Sequence, residues 1–193
     1  MRFFYLFLLS AFLGFAPPMA GWNLEFGTII SAQECGYIYV SPSGASSGVT
    51  GTKSNPASFS YGLSLVTSSD KIIRMAAGTY TLSSTLDIPS NVTIEGGFNS
   101  STWIKSNITP TILYRDSSNN LSAPNRLVGL SCISVSGFRL LDLTINVADA
   151  IGDGVTVYGM YINNCTNYVI SRCKIFSGDG SDGLPGVAGV SGI

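Results

Sequence analysis

The sequence contains an ungapped internal repeat with a shift of thirty positions, in which Leu127–Ile145 aligns with Val157–Ile175. In both copies seven apolar positions recur at spacings of two, three, three, two, three and two residues. A spacing of two keeps side chains on one face of a strand, and a spacing of three lets the chain turn a corner while the next side chain still points inward. A helix would give threes and fours, and a flat strand would give only twos. The pattern therefore predicts a chain wound around an apolar core.

The sequence after Lys71 is consistent with the same winding. Short segments of period two, within KIIRMAAGTYTL and STLDIPSNVTIEGGF, are interrupted by Gly or by Pro-Ser-Asn. Hairpin dipeptides of the Asn-Gly kind, which a meander or a sandwich normally shows, are almost absent. Wound coils stack as parallel strands about 4.8 Å apart. We therefore predict an all-β fold, namely a right-handed parallel β-helix.

The segment GMYINNCTNYVISRCKI, which ends at Ile175, resembles the parallel β-helix repeat of pectin-lyase-like proteins. In that repeat an apolar pair, an Asn-Cys or Asn-Asn corner and a second apolar strand recur. Upstream, YVSPSG, GTKSNPASFSYGLSLV and DKIIRMAAGTYTL resemble the N-terminal cap of exported bacterial members. The resemblance covers roughly Gly36 to Ser177 and implies the N-terminal part of an exported bacterial surface protein whose C-terminal coils are missing.

The only helix that we predict in the mature chain lies at Ala57–Val66, where Phe59, Leu63 and Val66 have helical spacing. This helix is short and contains Gly62, so that packing against another element must stabilise it. The end of a solenoid exposes its apolar interior and a row of unpaired strand groups. We expect the three apolar residues to cover that end of the β-helix.

The N-terminus is typical of an export signal, because Arg2 precedes the apolar run Phe3–Phe15, which is too short for a membrane span. Cleavage after Ala32 is favoured over cleavage after Ala20, and an uncleaved signal anchor is the alternative. We expect the mature chain to be secreted or at the cell surface and to meet the membrane only through the signal segment. The predicted organisation is a signal peptide at 1–32, an N-terminal strand, loop and capping helix at 33–70, coils at 71–177 and a Gly-X-Y-like loop or insertion at 178–193.

Glycine occupies every third position from Gly180 to Gly192. This spacing is typical of collagen, but four triplets are far too few for an autonomous triple helix. Two interpretations remain open: a flexible loop that bulges from a coil, and the beginning of a longer Gly-X-Y insertion. Because neither a C-terminal cap nor a final polar coil follows, we expect the chain to be a fragment of a larger protein.

The composition argues against several classes of function. The net charge is −1 with 11% charged residues, so the chain lacks the basic surface of a nucleic-acid-binding protein. The chain has no histidine, which is the commonest general base and metal ligand, and its four cysteines form no CxxC motif. We therefore predict no nucleic-acid partner, no cofactor and no metal.

The repeat places Cys132, Cys165 and Cys173 at inward positions, where cysteine acts as a small apolar residue. A structural role is favoured for them; a disulfide that involves Cys35 remains open in an exported chain, and catalysis or metal binding is disfavoured. Asn164 and its neighbouring asparagines are predicted to form a corner, since Asn tolerates left-handed backbone geometry and its amide can bond to the adjacent coil.

The repeat also places Asp142 beside Arg172 at outward positions of adjacent coils. We expect an exposed ion pair that contributes roughly 0.2–1 kcal/mol. An acid–base pair for catalysis needs two carboxylates, or a perturbed partner, across a cleft. Two acidic residues share the loop NVADAIGDG, where solvated charge is favoured over a cation site. These two are Asp149 and Asp153, and the repeat makes neither of them converge with Asp87 or Glu95.

The favoured function is a non-enzymatic, secreted or cell-surface structural or adhesive module, whose stacked coils form a stiff rod that presents loops. The expected partners are surface carbohydrate or other cell-surface proteins. The alternative is a polysaccharide lyase or glycoside hydrolase whose active coils lie beyond residue 193. The favoured interpretation rests on a core-rich, charge-poor repeat without an acid–base cluster, on the export signal and the Gly-triplet segment, and on fold analogy.

Overall fold

The computed structural model of the chain describes residues 36–69, 71–106, 108–122 and 124–189. The described residues form a parallel β-helix, which confirms the all-β fold that the repeat predicts. In chain order its elements are β1 (Tyr37–Ala45), α1 (Phe59–Ser64), β2 (Ile72–Ala76), β3 (Gly78–Leu82), β4 (Leu86–Asp87), β5 (Thr93–Phe98), β6 (Thr111–Arg115), β7 (Arg126–Ile133), β8 (Arg139–Leu141), β9 (Leu143–Val147), β10 (Thr156–Asn163), β11 (Val169–Ser171) and β12 (Lys174–Phe176).

The strands form three parallel sheets that share one core. The first sheet has the order β1-β2-β5-β8-β11, the second has β3-β6-β9-β12, and the third has β4-β7-β10. The strands of the four described turns begin with β2, β5, β8 and β11. The first three turns contribute one strand to each sheet in chain order, and the fourth contributes β11 to the first sheet and β12 to the second. Strands that are neighbours in space are therefore about one turn apart in sequence.

The thirty-residue shift of the repeat is confirmed as the stacking register from the second turn to the third and from the third to the fourth. In the third sheet Leu130 pairs with Met160 and Cys132 with Ile162. The same shift aligns Leu140 with Ile170 in the first sheet.

The interior is filled by side chains from every turn. Ile73, Ile94 and Leu140 lie at consecutive levels of the first sheet, and each is fully buried. Phe138 is also fully buried, and its ring stacks on that of Tyr168 with centroids 5.1 Å apart and planes 3° apart. The spacing of twos and threes therefore gives continuous columns of apolar contacts along the core.

The corners between sheets use left-handed backbone geometry at residues other than glycine. Asp142 and Arg172 have φ values of 57° and 53°, and each lies where a strand of the first sheet ends and the second sheet begins. Asn164 has a φ of 52° after the third sheet, and its Nδ2 donates to Ser134 Oγ of the turn below at 3.2 Å. Single residues in this geometry turn the chain sharply without interrupting the stacking.

Helix α1 is shorter than the sequence predicts. It ends at Ser64, so that Val66 lies beyond it, and Ser58 caps its N-terminus by accepting the Tyr61 N–H at 3.4 Å. Phe59 is buried and Leu63 and Val66 are half-buried, all in contact with the core.

Gly62 was expected only to weaken the helix, but it also has a packing role. A Cβ atom at this position would lie 2.5 Å from a methyl group of Val40. The glycine therefore lets α1 approach β1 closely.

The glycine-rich segment begins as part of the fourth turn. Ala150 N–H donates to Asp179 O at 2.8 Å and Gly154 N–H donates to Asp182 O at 2.7 Å, so that residues 178–182 stack on the loop between β9 and β10. From Gly183 onward a Cβ atom at the described glycines would meet nothing within 4 Å. The two interpretations of the glycine triplets, a flexible loop and the beginning of a longer Gly-X-Y insertion, therefore concern residues after 182.

Candidate functional site

A cleft of about 300 Å³ lies on the outer face of the third sheet. Its floor consists of outward side chains of β4, β7 and β10, and one wall is the loop between β6 and β7. The groups that give the cleft its chemistry are Asp87, Asn119, Leu121, Arg126, Ser131 and Tyr161.

Three of these residues form a column across successive turns. Asp87 pairs with Ser131 in the β4–β7 register, and Ser131 pairs with Tyr161 in the β7–β10 register. Parallel strands lie about 4.8 Å apart, so the backbones of the three residues are spaced at about that interval. The column therefore presents one polar group per turn along the direction of stacking.

The strongest electrostatic feature of the cleft is Arg126. Its guanidinium carbon lies 4.7 Å from the centroid of the Tyr161 ring, which is a cation–π contact. Its Nε is buried and has no hydrogen-bond partner in the described structure. The guanidinium of Arg126 is therefore held against the ring as a cationic group in the lining of the cleft.

The wall of the cleft is positioned by Arg115, which is 1% exposed. Its guanidinium donates to the carbonyl oxygens of Asp116 at 2.5 Å and Asn119 at 3.0 Å, and also to that of Ser118. Burial lowers the pKa of Arg115, and the nearby Asp116 carboxylate opposes that shift. Because one buried side chain holds three carbonyl groups of the loop, the loop has a defined conformation beside the cleft.

Asn119 is fixed from the other side of the cleft as well. It has a φ of 49°, and its Nδ2 donates to Ser83 O at 3.0 Å. Neither Arg126 nor Tyr161 was predicted as a site residue from the sequence. The signal for Tyr161 was available, because the repeat places it at an outward position of the β10 strand.

A second polar cluster lies at the corner between the first and second sheets. Asp142 accepts from Arg172 Nε at 2.5 Å and from Arg172 Nη2 at 2.8 Å. Lys105, from the loop between β5 and β6, donates to Asp142 and also to Glu95 Oε1 at 2.5 Å. We refer to these four residues as the corner cluster.

The sequence predicts an exposed Asp142–Arg172 ion pair. In the structure the pair forms, but only Arg172 is exposed. The Asp142 side chain is 6% exposed whereas that of Arg172 is 61% exposed. Hydrogen bonds from Arg172, and then from Lys105, lower the pKa of Asp142 to about 2. The thirty-residue alignment could not predict that Lys105 and Glu95 join the Asp142–Arg172 pair. Lys105, which contacts both carboxylates, comes from an insertion that the repeat lacks.

The cysteines occupy one buried and two partly buried positions. Cys132 is fully buried, and burial raises its pKa to about 12. Cys165 lies at the corner after β10 and Cys173 lies just before β12; both are half-buried, and all three are free thiols. Cys35, the other candidate for a disulfide, lies outside the described residues.

Asp149 and Asp153, the two carboxylates of the loop between β9 and β10, do not form a cation site with a third ligand among the described residues. Asp149 accepts the Asp179 N–H at 2.8 Å, and Asp153 is exposed. Among the described residues, no group of three or more His, Cys, Asp or Glu side chains is arranged to hold a metal ion. Within the same residues no helix is long and apolar enough to cross a membrane.

Comparisons with protein-family models, with curated proteins and with solved structures found no match to this chain. The fold and the geometry of the cleft therefore carry the functional argument.

Proposed function

We propose that this chain is a secreted or cell-surface structural and adhesive module, and that the cleft on its third sheet binds carbohydrate. The observation that carries the proposal is the column of Asp87, Ser131 and Tyr161 with Arg126 beside it. The apolar residues of the first copy of the repeat, among them Leu130 and Leu140, are buried in the core, so the outward side chains of these strands are those available to a partner.

The groups in the cleft match the chemistry of a sugar chain. A sugar hydroxyl both donates and accepts, and the cleft offers a carboxylate as acceptor, a guanidinium as donor and hydroxyl groups that do both. Tyr161 adds an aromatic body with a polar end, which suits a ligand with apolar faces and polar edges. Repetition of polar groups once per turn suits a polymer of regular units. The export signal expected in the sequence agrees with a ligand outside the cell.

The test is binding of the full chain to a panel of acidic and neutral polysaccharides, with the bound and the unbound fractions both analysed for cleavage. We expect binding without cleavage, and Tyr161→Ala should weaken it by about tenfold or more, because truncation of a central aromatic contact commonly costs about 2 kcal/mol. Tyr114→Ala is the matched control, since Tyr114 is a partly exposed tyrosine on the second sheet.

Cleavage of a bond in the polysaccharide would refute the adhesive proposal and support the lyase or hydrolase alternative. Equal loss of binding in Tyr161→Ala and Tyr114→Ala would refute the assignment of binding to the cleft.

A further inference from the structure

In the corner cluster, acidic and basic side chains alternate, and the last member of the row is the cation Arg172. Lys105 lies between Glu95 and Asp142, and Asp142 lies between Lys105 and Arg172. Arg172 has an acidic partner on one side only among the described residues, and its Nη1 makes one long contact, to Ser171 Oγ at 3.4 Å. The order of charges therefore leaves a place for an anion next to Arg172.

A depression of about 260 Å³ lies at that place. It is lined by Thr109, Pro110, Asp142, Thr144, Arg172 and Lys174.

The carboxylate in this lining is already neutralised. Both oxygens of Asp142 accept from Arg172, and one of them also accepts from Lys105. Because its side chain is 6% exposed, Asp142 presents little negative charge to a ligand in the depression. Arg172 Nη1, which makes only the long contact to Ser171, and the exposed Lys174 ammonium are therefore the cationic donors that face the depression.

These donors approach the depression from different elements. Lys174 and Thr144 are register partners on β12 and β9, and both are at outward positions because the next residue in each strand belongs to the inward column of the repeat. Arg172 lies at the corner before β12, and Thr109 belongs to the loop before β6. Two cations and two hydroxyl groups thus surround one space from a strand pair, a corner and a loop.

We propose that this depression binds a tetrahedral oxyanion, such as the sulfate or phosphate group of a larger ligand, through Arg172 and Lys174 with Thr109 and Thr144 as further donors. A tetrahedral group can accept hydrogen bonds from several directions, whereas a carboxylate accepts in one plane. The site lies at the corner of the first and second sheets, so it is separate from the cleft and does not depend on the proposed function.

The experiment titrates the full chain with inorganic sulfate and with inorganic phosphate, at constant ionic strength adjusted with chloride, and measures binding by calorimetry. We expect saturable binding that Lys174→Gln weakens by about tenfold, because a hydrogen bond to a charged group commonly contributes that much to affinity. Lys71→Gln removes an exposed lysine before β2 and should leave binding unchanged. A titration with acetate should show weaker binding than either tetrahedral ion.

Equal affinity of Lys174→Gln and Lys71→Gln would overturn the proposal, and so would the absence of saturable binding above the chloride background. Acetate that binds as well as sulfate and phosphate would overturn the preference for a tetrahedral group. A preference for sulfate over phosphate would support the site and identify a sulfated ligand, and the reverse preference would identify a phosphorylated one.

Discussion

Replacement of Asp142 by Asn should destabilise the chain at neutral pH and should abolish one component of its acid sensitivity. Asp142 has a φ of 57°, and Asn tolerates this left-handed geometry as well as Asp does, so the substitution changes the charge without straining the corner. The variant loses the charge in both ion pairs, with Lys105 and with Arg172.

The magnitude follows from the pKa of Asp142, which hydrogen bonds from Arg172 and Lys105 lower from 3.8 to about 2. One pKa unit corresponds to about 1.4 kcal/mol, so the shift corresponds to about 2–3 kcal/mol. Since Arg172 is largely exposed and solvent screens its charge, we expect the lower end, about 2 kcal/mol, at pH 7.

The sign of the pH dependence follows from the direction of the shift. The folded-state pKa lies below the unfolded-state value, so the stabilisation is fully present above the unfolded-state pKa of 3.8 and is lost as the pH falls through about 2. The amide of the variant does not titrate. The difference in the free energy of unfolding between wild type and Asp142→Asn should therefore shrink toward zero between about pH 5 and pH 2.

The assay is urea unfolding of both proteins at several pH values, followed by circular dichroism. Asp153→Asn is the control, because it removes a carboxylate that forms no ion pair in the described structure. A difference between wild type and Asp142→Asn that stays constant from neutral to acidic pH would refute the argument, as would equal stability at pH 7.

Two further predictions concern the packing of the turns. Gly129→Ala should lower the free energy of unfolding by about 1–3 kcal/mol, because the new Cβ would lie 2.5 Å from the carbonyl oxygen of Gly159 in the turn above. Gly186→Ala, at a position with open space around it, should change the melting temperature little, and equal effects of the two substitutions would contradict the stacking register. Cys132 should react with a thiol reagent at pH 8 far more slowly than the half-buried Cys165, since burial raises the pKa of Cys132 to about 12. Mass spectrometry after a short reaction measures the labelling rates of the two thiols. Equal labelling of Cys132 and Cys165 in the folded chain would contradict the burial of Cys132.

The stacked architecture could be predicted because it depends on a local pattern that recurs. The alignment of Leu130 with Met160 and of Leu140 with Ile170 follows from counting apolar positions, since any residue that leaves the inward column would break the core. The bounds of α1 could not be obtained in this way, because Val66 has helical spacing but the helix ends at Ser64. Six residues are too short for periodicity to define an end.

The candidate sites could be predicted only where they belong to the repeat. Asp142 and Arg172 are thirty positions apart, and the sequence analysis paired them from that spacing. The wall held by Arg115 is the loop between β6 and β7, which precedes the aligned copies of the repeat. Lys105 lies in an insertion between β5 and β6. Insertions have no counterpart in the neighbouring turn, so the repeat cannot predict where they fold back.

The two ends of the β-helix differ, and this difference affects how long each proposed site persists. β1 and α1 cover one end, whereas β11 and β12 pair on one side only among the described strands. In a linear repeat, each turn is stabilised mainly by its immediate neighbours, so amide hydrogen exchange should be fastest in the fourth turn. The cleft is built from earlier turns and survives such local opening, whereas the oxyanion site includes Arg172 and Lys174 of the fourth turn and is lost in it. A ligand at the corner would therefore slow exchange in β12, and a ligand in the cleft would leave it unchanged.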